Sequence, residues 1–126
     1  MTREEYHAQA AAAMTERVLQ RDVMHLARAF HWWAYHTWIS ARSQPGFPDL
    51  VLVSAQQQRV LYRELKRQSG QLTPAQRAWL DELAAAGADT GIWRPLDLVE
   101  GRIEADLRGH PISASTPPTT EGDTPT

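Results

Sequence analysis

The chain has 126 residues, a length that favours one domain, and its 42% hydrophobic and 22% charged residues are ordinary for a chain that buries a core. It contains no cysteine, which excludes a disulfide framework and any cysteine-ligated zinc site. A net charge of −2 speaks against the strong basic excess common in nucleic-acid binders, although a local basic patch beside metal-binding carboxylates gives the same total.

The first residues are polar, then alanine-rich, and either extend the first helix or fray. They show no basic start followed by an apolar stretch, so no secretory signal is expected and the cytosol is the expected compartment. No run approaches the roughly 18 apolar residues of a membrane span. Residues 15–30 read as an amphipathic helix, with Leu19, Val23, Leu26, Ala27 and Phe30 at helical spacing and Thr15 as N-cap. Glu16 falls within roughly 40° of the centre of that apolar stripe, an unusual place for a carboxylate. Residues 32–39 read as a strand with Trp32, Ala34, His36 and Trp38 on one face. A loop leads to Asp49, which precedes the short apolar strand 50–53. A polar turn over 54–58 then connects it to a strand over 60–66, making a β-hairpin. After another loop, Thr73-Pro-Ala-Gln76 starts a helix twice over, by proline at its first position and by a Thr-x-x-Gln capping box. Trp79, Leu80 and Leu83 form its apolar stripe and Gly87 its stop. Residues 88–93 read as a last strand, weakened by Gly91, and 95–107 hold a short helix. From Gly109 onward the chain has almost nothing to bury and is expected to be disordered. The helix, three strands, helix, strand order (αβββαβ) predicts an α/β fold, a mixed sheet flanked by helices.

Three residues converge on one chemistry. Glu64 and Lys66 alternate with Leu65 and therefore share a strand face. Asp49 opens the partner strand of the hairpin and falls near them in an antiparallel pair. Two carboxylates a few ångströms apart repel unless a cation lies between them, and hard oxygen donors suit Mg²⁺ or Mn²⁺. Such a centre suits phosphodiester hydrolysis, with Lys66 orienting or deprotonating a water or stabilising developing charge. The plainer reading is a charge pair on a solvated strand face. Gln76 has two readings of equal weight, the capping box and a reach into this site. His36 reads first as a packed histidine and second as a substrate contact, and the five tryptophans as mostly core. Arg42, Arg59, Arg63, Arg67 and Arg77 concentrate around the hairpin; such residues are usually surface, and Arg42 and Arg67 are the better candidates for phosphate contact.

The run from Gly46 to Val53 (GFPDLVLV) resembles motif II of the PD-(D/E)XK nucleases, and Arg63-Glu-Leu-Lys66 resembles the (D/E)XK half. The stretch from Gly70 to Trp79, with Gly87 after the helix, resembles the VRR-NUC branch, in which a Gln follows the catalytic strand as Gln76 does here. Thr15-Glu16 resembles the first-helix acid, and Tyr35-His-Thr37 through Arg42-Ser43 resembles small stand-alone phage and bacterial members. The resemblance covers about residues 15–97 and implies a restriction-endonuclease-like core; the expected domain spans residues 15–108, after an extension over 1–14 and before a tail over 109–126. It implies a Mg²⁺- or Mn²⁺-dependent DNA endonuclease with Asp49 and Glu64 as metal ligands, the Leu65 backbone carbonyl as a further ligand, Glu16 as an outer or additional acid and Lys66 as the catalytic lysine. It also implies a homodimer acting on branched DNA such as Holliday junctions. A non-catalytic DNA-binding or scaffold module on the same fold is the alternative; salt-sensitive DNA binding without metal-dependent cleavage would distinguish it.

Overall fold

The computed structural model describes residues 1–38 and 44–109; Arg42 and the tail from residue 110 lie outside the described residues. Two helices open the chain. Helix α1 (Arg3–Ala13) is closed by a reciprocal capping box between Thr2 and Glu5, and α2 (Glu16–Ala29) starts at Thr15, whose side chain accepts from the Val18 amide. The N-terminal segment is thus a separate helix rather than an extension of the next one, because Thr15 takes an extended conformation and restarts the helix with its own cap. It packs on a later helix and buries Ala11.

Strand β1 (Trp33–His36) follows His31, whose φ of 68° supplies the left-handed residue that turns the chain out of α2. Strands β2 (Leu50–Ser54) and β3 (Arg59–Leu65) complete an antiparallel meander. Helix α3 (Pro74–Ala85) crosses over to β4 (Asp89–Trp93), which pairs parallel to β3 in a sheet ordered β1-β2-β3-β4. Two short helices, α4 (Pro95–Val99) and α5 (Arg102–Arg108), close the described chain where one had been expected. Gly101, at φ 82°, separates them.

The core lies on one face of the sheet. Leu50, Leu52, Leu61 and Leu65 from the strands meet Leu19, Val23 and Ala27 of α2 and Ile103 and Leu107 of α5. Fully burying each such leucine contributes about 1.5–3 kcal/mol. On the opposite face Phe47 meets the rings of Tyr62 and Trp79 edge-on, so α3 covers the β3–β4 half. Nothing described covers the β1–β2 half, and Trp33 is 83% exposed and Tyr35 59%. Trp38, two residues past the end of β1, is exposed too, against the expectation that the tryptophans are mostly core. Trp32 precedes the strand instead of starting it, and its buried indole donates to the Leu107 carbonyl at 2.9 Å.

Arg59 and Arg63 also depart from the expected basic surface. Arg63 is buried, paired with Asp89 at 2.9 Å and Asp106 at 3.0 Å, and Arg59 pairs with Asp106 at 2.7 Å. Each lies over an indole, Arg59 on Trp32 and Arg63 on Trp93, with distances to the ring centroid of 5.2 and 5.1 Å. The two arginines tie β3 to β4 and α5.

The loop that delivers Asp49 crosses α3 at Gly46. A side chain there would put a Cβ 2.5 Å from the Ala75 carbonyl carbon, on a backbone with φ of 93°. We expect Gly46→Ala to destabilise the fold by about 1–3 kcal/mol, through clash and left-handed strain together. A chemical-denaturation midpoint equal to wild type would contradict this close approach.

Candidate active site

The hairpin register decides the geometry of the site. Leu50 stands opposite Arg63, so Asp49, one residue before β2, continues the ladder opposite Glu64. Two contacts hold the backbone at this point. The Thr37 amide donates to the Asp49 carbonyl at 2.7 Å, and the Thr37 hydroxyl donates to the Pro48 carbonyl at 2.8 Å. The Asp49 side chain turns back onto β3, where Oδ2 accepts the Leu65 amide at 2.8 Å.

Glu64 is only 2% exposed, and its Oε1 is buried with no hydrogen-bond partner. Burial, then the neighbouring Asp49 carboxylate, push the Glu64 carboxyl up to about 8. Burial also raises Asp49 above the usual carboxylate range, against the pull of the Leu65 amide. Lys66, also buried, lowers both carboxyls without cancelling the effect. Its amide donates to the Trp93 carbonyl at 3.1 Å, which fixes the end of β3 against β4.

A half-buried Asp49 and a buried Glu64 with an orphaned oxygen, next to a lysine, form a donor set that fits a small hard cation. Among the described residues no group of three His, Asp or Glu is close enough to enclose a metal. Mg²⁺ is commonly bound through one or two carboxylates, with water and substrate phosphate filling the remaining positions.

The other predicted residues fall at different distances from this pair. Glu16 does not face the core. It is exposed in the first turn of α2, where the helix overhangs its packing surface and Leu19 is the first residue fully buried. Its charge still reaches the centre and raises both Asp49 and Glu64, so it acts on them through space. Gln76 makes the capping box: its Oε1 accepts the Thr73 amide at 2.9 Å, and its amide donates to Thr73 Oγ1 at 3.1 Å. His36 pairs with Leu50, beside Asp49, and its ring stacks on Trp38 at 4.4 Å between centroids. Arg67 follows Lys66 and is exposed. Leu65 contributes its amide to Asp49 and its side chain to the core. Sequence reasoning missed Thr37 as the clamp on Pro48 and Asp49, since nothing distinguishes it from any other threonine at a strand end.

A four-stranded mixed sheet flanked by helices, with paired acids on adjacent strands and a lysine two residues after the second, defines a PD-(D/E)XK-like fold. A sequence model of the VRR-NUC domain matches residues 3–94, and the chain belongs to the VRR-NUC domain family, a nuclease-type domain. It is similar to a solved VRR-NUC domain structure at 19% identity and a TM-score of 0.60, covering 72% of this chain and 97% of that one. It is also similar to a solved VRR-NUC domain protein at 23% identity and a TM-score of 0.57, covering 75% of this chain and 90% of that one. None of the curated proteins matches it in sequence. Among the described residues no helix is long and apolar enough to cross a membrane.

The raised Glu64 carboxyl has a pH signature. Between its ordinary 4.5 and about 8 the folded chain holds a proton that the unfolded chain releases, so this group's contribution to stability falls as pH rises through that window. A divalent cation held by the pair would take the place of that proton. We therefore expect Mg²⁺ or Mn²⁺ to raise the melting temperature little near pH 5 and progressively more toward pH 8, and Glu64→Gln to remove this trend. Equal cation-induced shifts at both ends of the range would contradict the assignment.

Proposed function

We propose that the chain is a Mg²⁺- or Mn²⁺-dependent DNA endonuclease whose centre is Asp49, Glu64 and Lys66. The observation that carries this reading is the buried Glu64 carboxylate, with one oxygen unpartnered, opposite a half-buried Asp49 and beside a buried lysine. Asp49 and Glu64 would hold the cation, and the Leu65 carbonyl is the further ligand. The orientation of that carbonyl supports the choice. In a trans peptide the C=O of one residue points opposite to the N–H of the next. The Lys66 N–H points toward β4, so the Leu65 C=O faces the Asp49 side. The bound cation supplies Lewis-acid stabilisation of negative charge on the scissile phosphate.

Lys66 is held at the same end of β3 and carries a charge of the sign that favours the phosphate in the transition state. It also orients the attacking water, whose addition to phosphorus accompanies cleavage of the P–O bond to the leaving nucleotide. Glu16 acts as an outer acid. Gln76 is a further proposed site residue, through the amide nitrogen that the capping box leaves over. Arg67, with Arg42 and His36, would contact DNA around the centre.

The finer substrate reading is branched DNA, cut by a homodimer. It rests on the likeness to small stand-alone members and on the uncovered sheet face, where Trp33, Tyr35, Val53 and Val60 are all exposed and adjacent in the register. An apolar face of this kind on a small domain marks an interaction surface. Two centres in one dimer can engage two strands of a junction. The cytosol is the proposed compartment.

Asp49→Ala or Lys66→Ala is expected to abolish cleavage while the circular dichroism spectrum is kept. Wild-type cleavage by either purified variant would refute the centre. On a panel of single-stranded, duplex, flap and four-way-junction DNA with Mg²⁺ or Mn²⁺, the junction is expected to be cut fastest; an equal rate on plain duplex would refute the branch preference. Trp33→Glu is expected to convert a dimer to a monomer in sedimentation velocity, and an unchanged dimer would place the interface elsewhere.

A further inference from the structure

Most of the partly or wholly buried arginines are matched by a carboxylate. Arg59 and Arg63 share Asp106, and Arg102 takes Asp97 at 2.8 Å. Arg94 differs. Its side chain makes no ion pair among the described residues, and its Nη1 donates instead to three backbone carbonyls of one turn: Arg67 at 2.8 Å, Gln68 at 3.3 Å and Gly70 at 2.8 Å. That turn begins immediately after Lys66.

The position of Arg94 follows from the parallel pairing. Trp93 lies opposite Leu65 and accepts the Lys66 amide, so the next residue of the β4 strand is carried to the start of the turn after β3. Arg94 is itself held firmly. Its amide donates to Asp97 Oδ2 at 2.7 Å, and the other Asp97 oxygen accepts from Arg102. A second tether runs from the Leu96 amide to Gln68 Oε1 at 2.8 Å. The turn also closes on itself, because the Gly70 amide donates to the Arg67 carbonyl at 3.0 Å. Charge-assisted bonds of this kind are roughly twice as strong as neutral ones. Carbonyls attract the guanidinium without neutralising it, so its positive charge is held at the turn that follows Lys66.

We propose that Arg94 is a positioning residue for the Asp49–Glu64–Lys66 centre: its guanidinium holds the 67–70 turn, and with it Lys66 and Arg67, in register with the carboxylate pair. The assignment rests on the nuclease reading. Among the described residues the hydrogen bonds of the Arg94 side chain go to backbone carbonyls, so it acts through Lys66 and Arg67 and not on the reacting atoms.

The test measures three quantities on wild type, Arg94→Ala and Arg94→Lys: kcat for DNA cleavage with saturating Mg²⁺, Mn²⁺ affinity by calorimetry, and amide exchange over residues 67–70. Loss of such a supporting contact is expected to lower kcat about 10–100-fold in Arg94→Ala, the range typical of groups that orient a metal centre's residues. Mn²⁺ affinity is expected to hold, and exchange to rise in the turn while the β2 amides stay protected. Arg94→Lys, which keeps the charge but not the fork of donors, is expected to recover part of kcat. Added guanidinium ion, at concentrations too low to denature, is expected to restore part of the Arg94→Ala rate. Wild-type kcat in Arg94→Ala overturns the proposal, and so does a loss of kcat that tracks lost melting temperature with unchanged exchange in the turn. A wild-type chain that cleaves no DNA overturns the nuclease reading and this role with it; a cleaving wild type beside an equally active Arg94→Ala overturns only the role of Arg94.

Discussion

Pairing of β2 with β3 is the constraint on which the rest of the molecule depends. With Leu50 opposite Arg63 and Leu52 opposite Leu61, one face of the hairpin is apolar and sealed by α2 and α5. The same register sets Asp49 against Glu64 on the alternate face. A slip by one residue would turn the leucines out of the core and the acids into it, so the core's stability enforces the repulsion between the carboxylates. Glu64 relieves it by holding a proton, its carboxyl being pushed up to about 8. Leu65 anchors the strand in the core beside Glu64, and its amide holds Asp49.

Around that pair the fold supplies braces rather than additional acids. Thr37 clamps the backbone of Pro48 and Asp49 from β1, and Gly46 lets the same loop pass against α3. On the far side β4 takes the Lys66 amide, and its next residue gathers the turn beyond. The arginines divide by what they meet. Those facing aspartates knit β3, β4 and α5 together, whereas Arg94, facing carbonyls, holds the turn after Lys66.

Much of this was legible along the chain because it is encoded locally. Thr15, Thr73 and Gln76 announce their helices through side chains that reach only three residues, and the structure has those caps where the spacing put them. Leucine alternation in β2 and β3 announced the hairpin, and the hairpin brought Asp49 near Glu64. Local signals failed where the partner is remote. The cap at Thr2 and Glu5 was present to be read, but a separate α1 gains its stability by packing on α4, more than eighty residues later. Arg59 and Arg63 read as surface because Asp89 and Asp106, which make their burial tolerable, lie far along the chain. Glu16 read as core-facing because helical periodicity gives an angle but not where the packing surface ends.

The structure brings Asp49 and Glu64 together as the sequence led one to expect, with Lys66 two residues on, and the reason is periodicity. Residue alternation on strands and the short hairpin connection leave only one way to bring Asp49, Glu64 and Lys66 together. The sequence by itself thus determined the strands, the caps and the juxtaposition of Asp49 with Glu64. Tertiary structure alone decided that Glu64 is buried with an oxygen unpartnered, that half of one sheet face is left uncovered, and that Arg94 reaches the turn after Lys66. Those features depend on which distant elements pack together and on where that packing stops. No window of neighbouring residues contains that information.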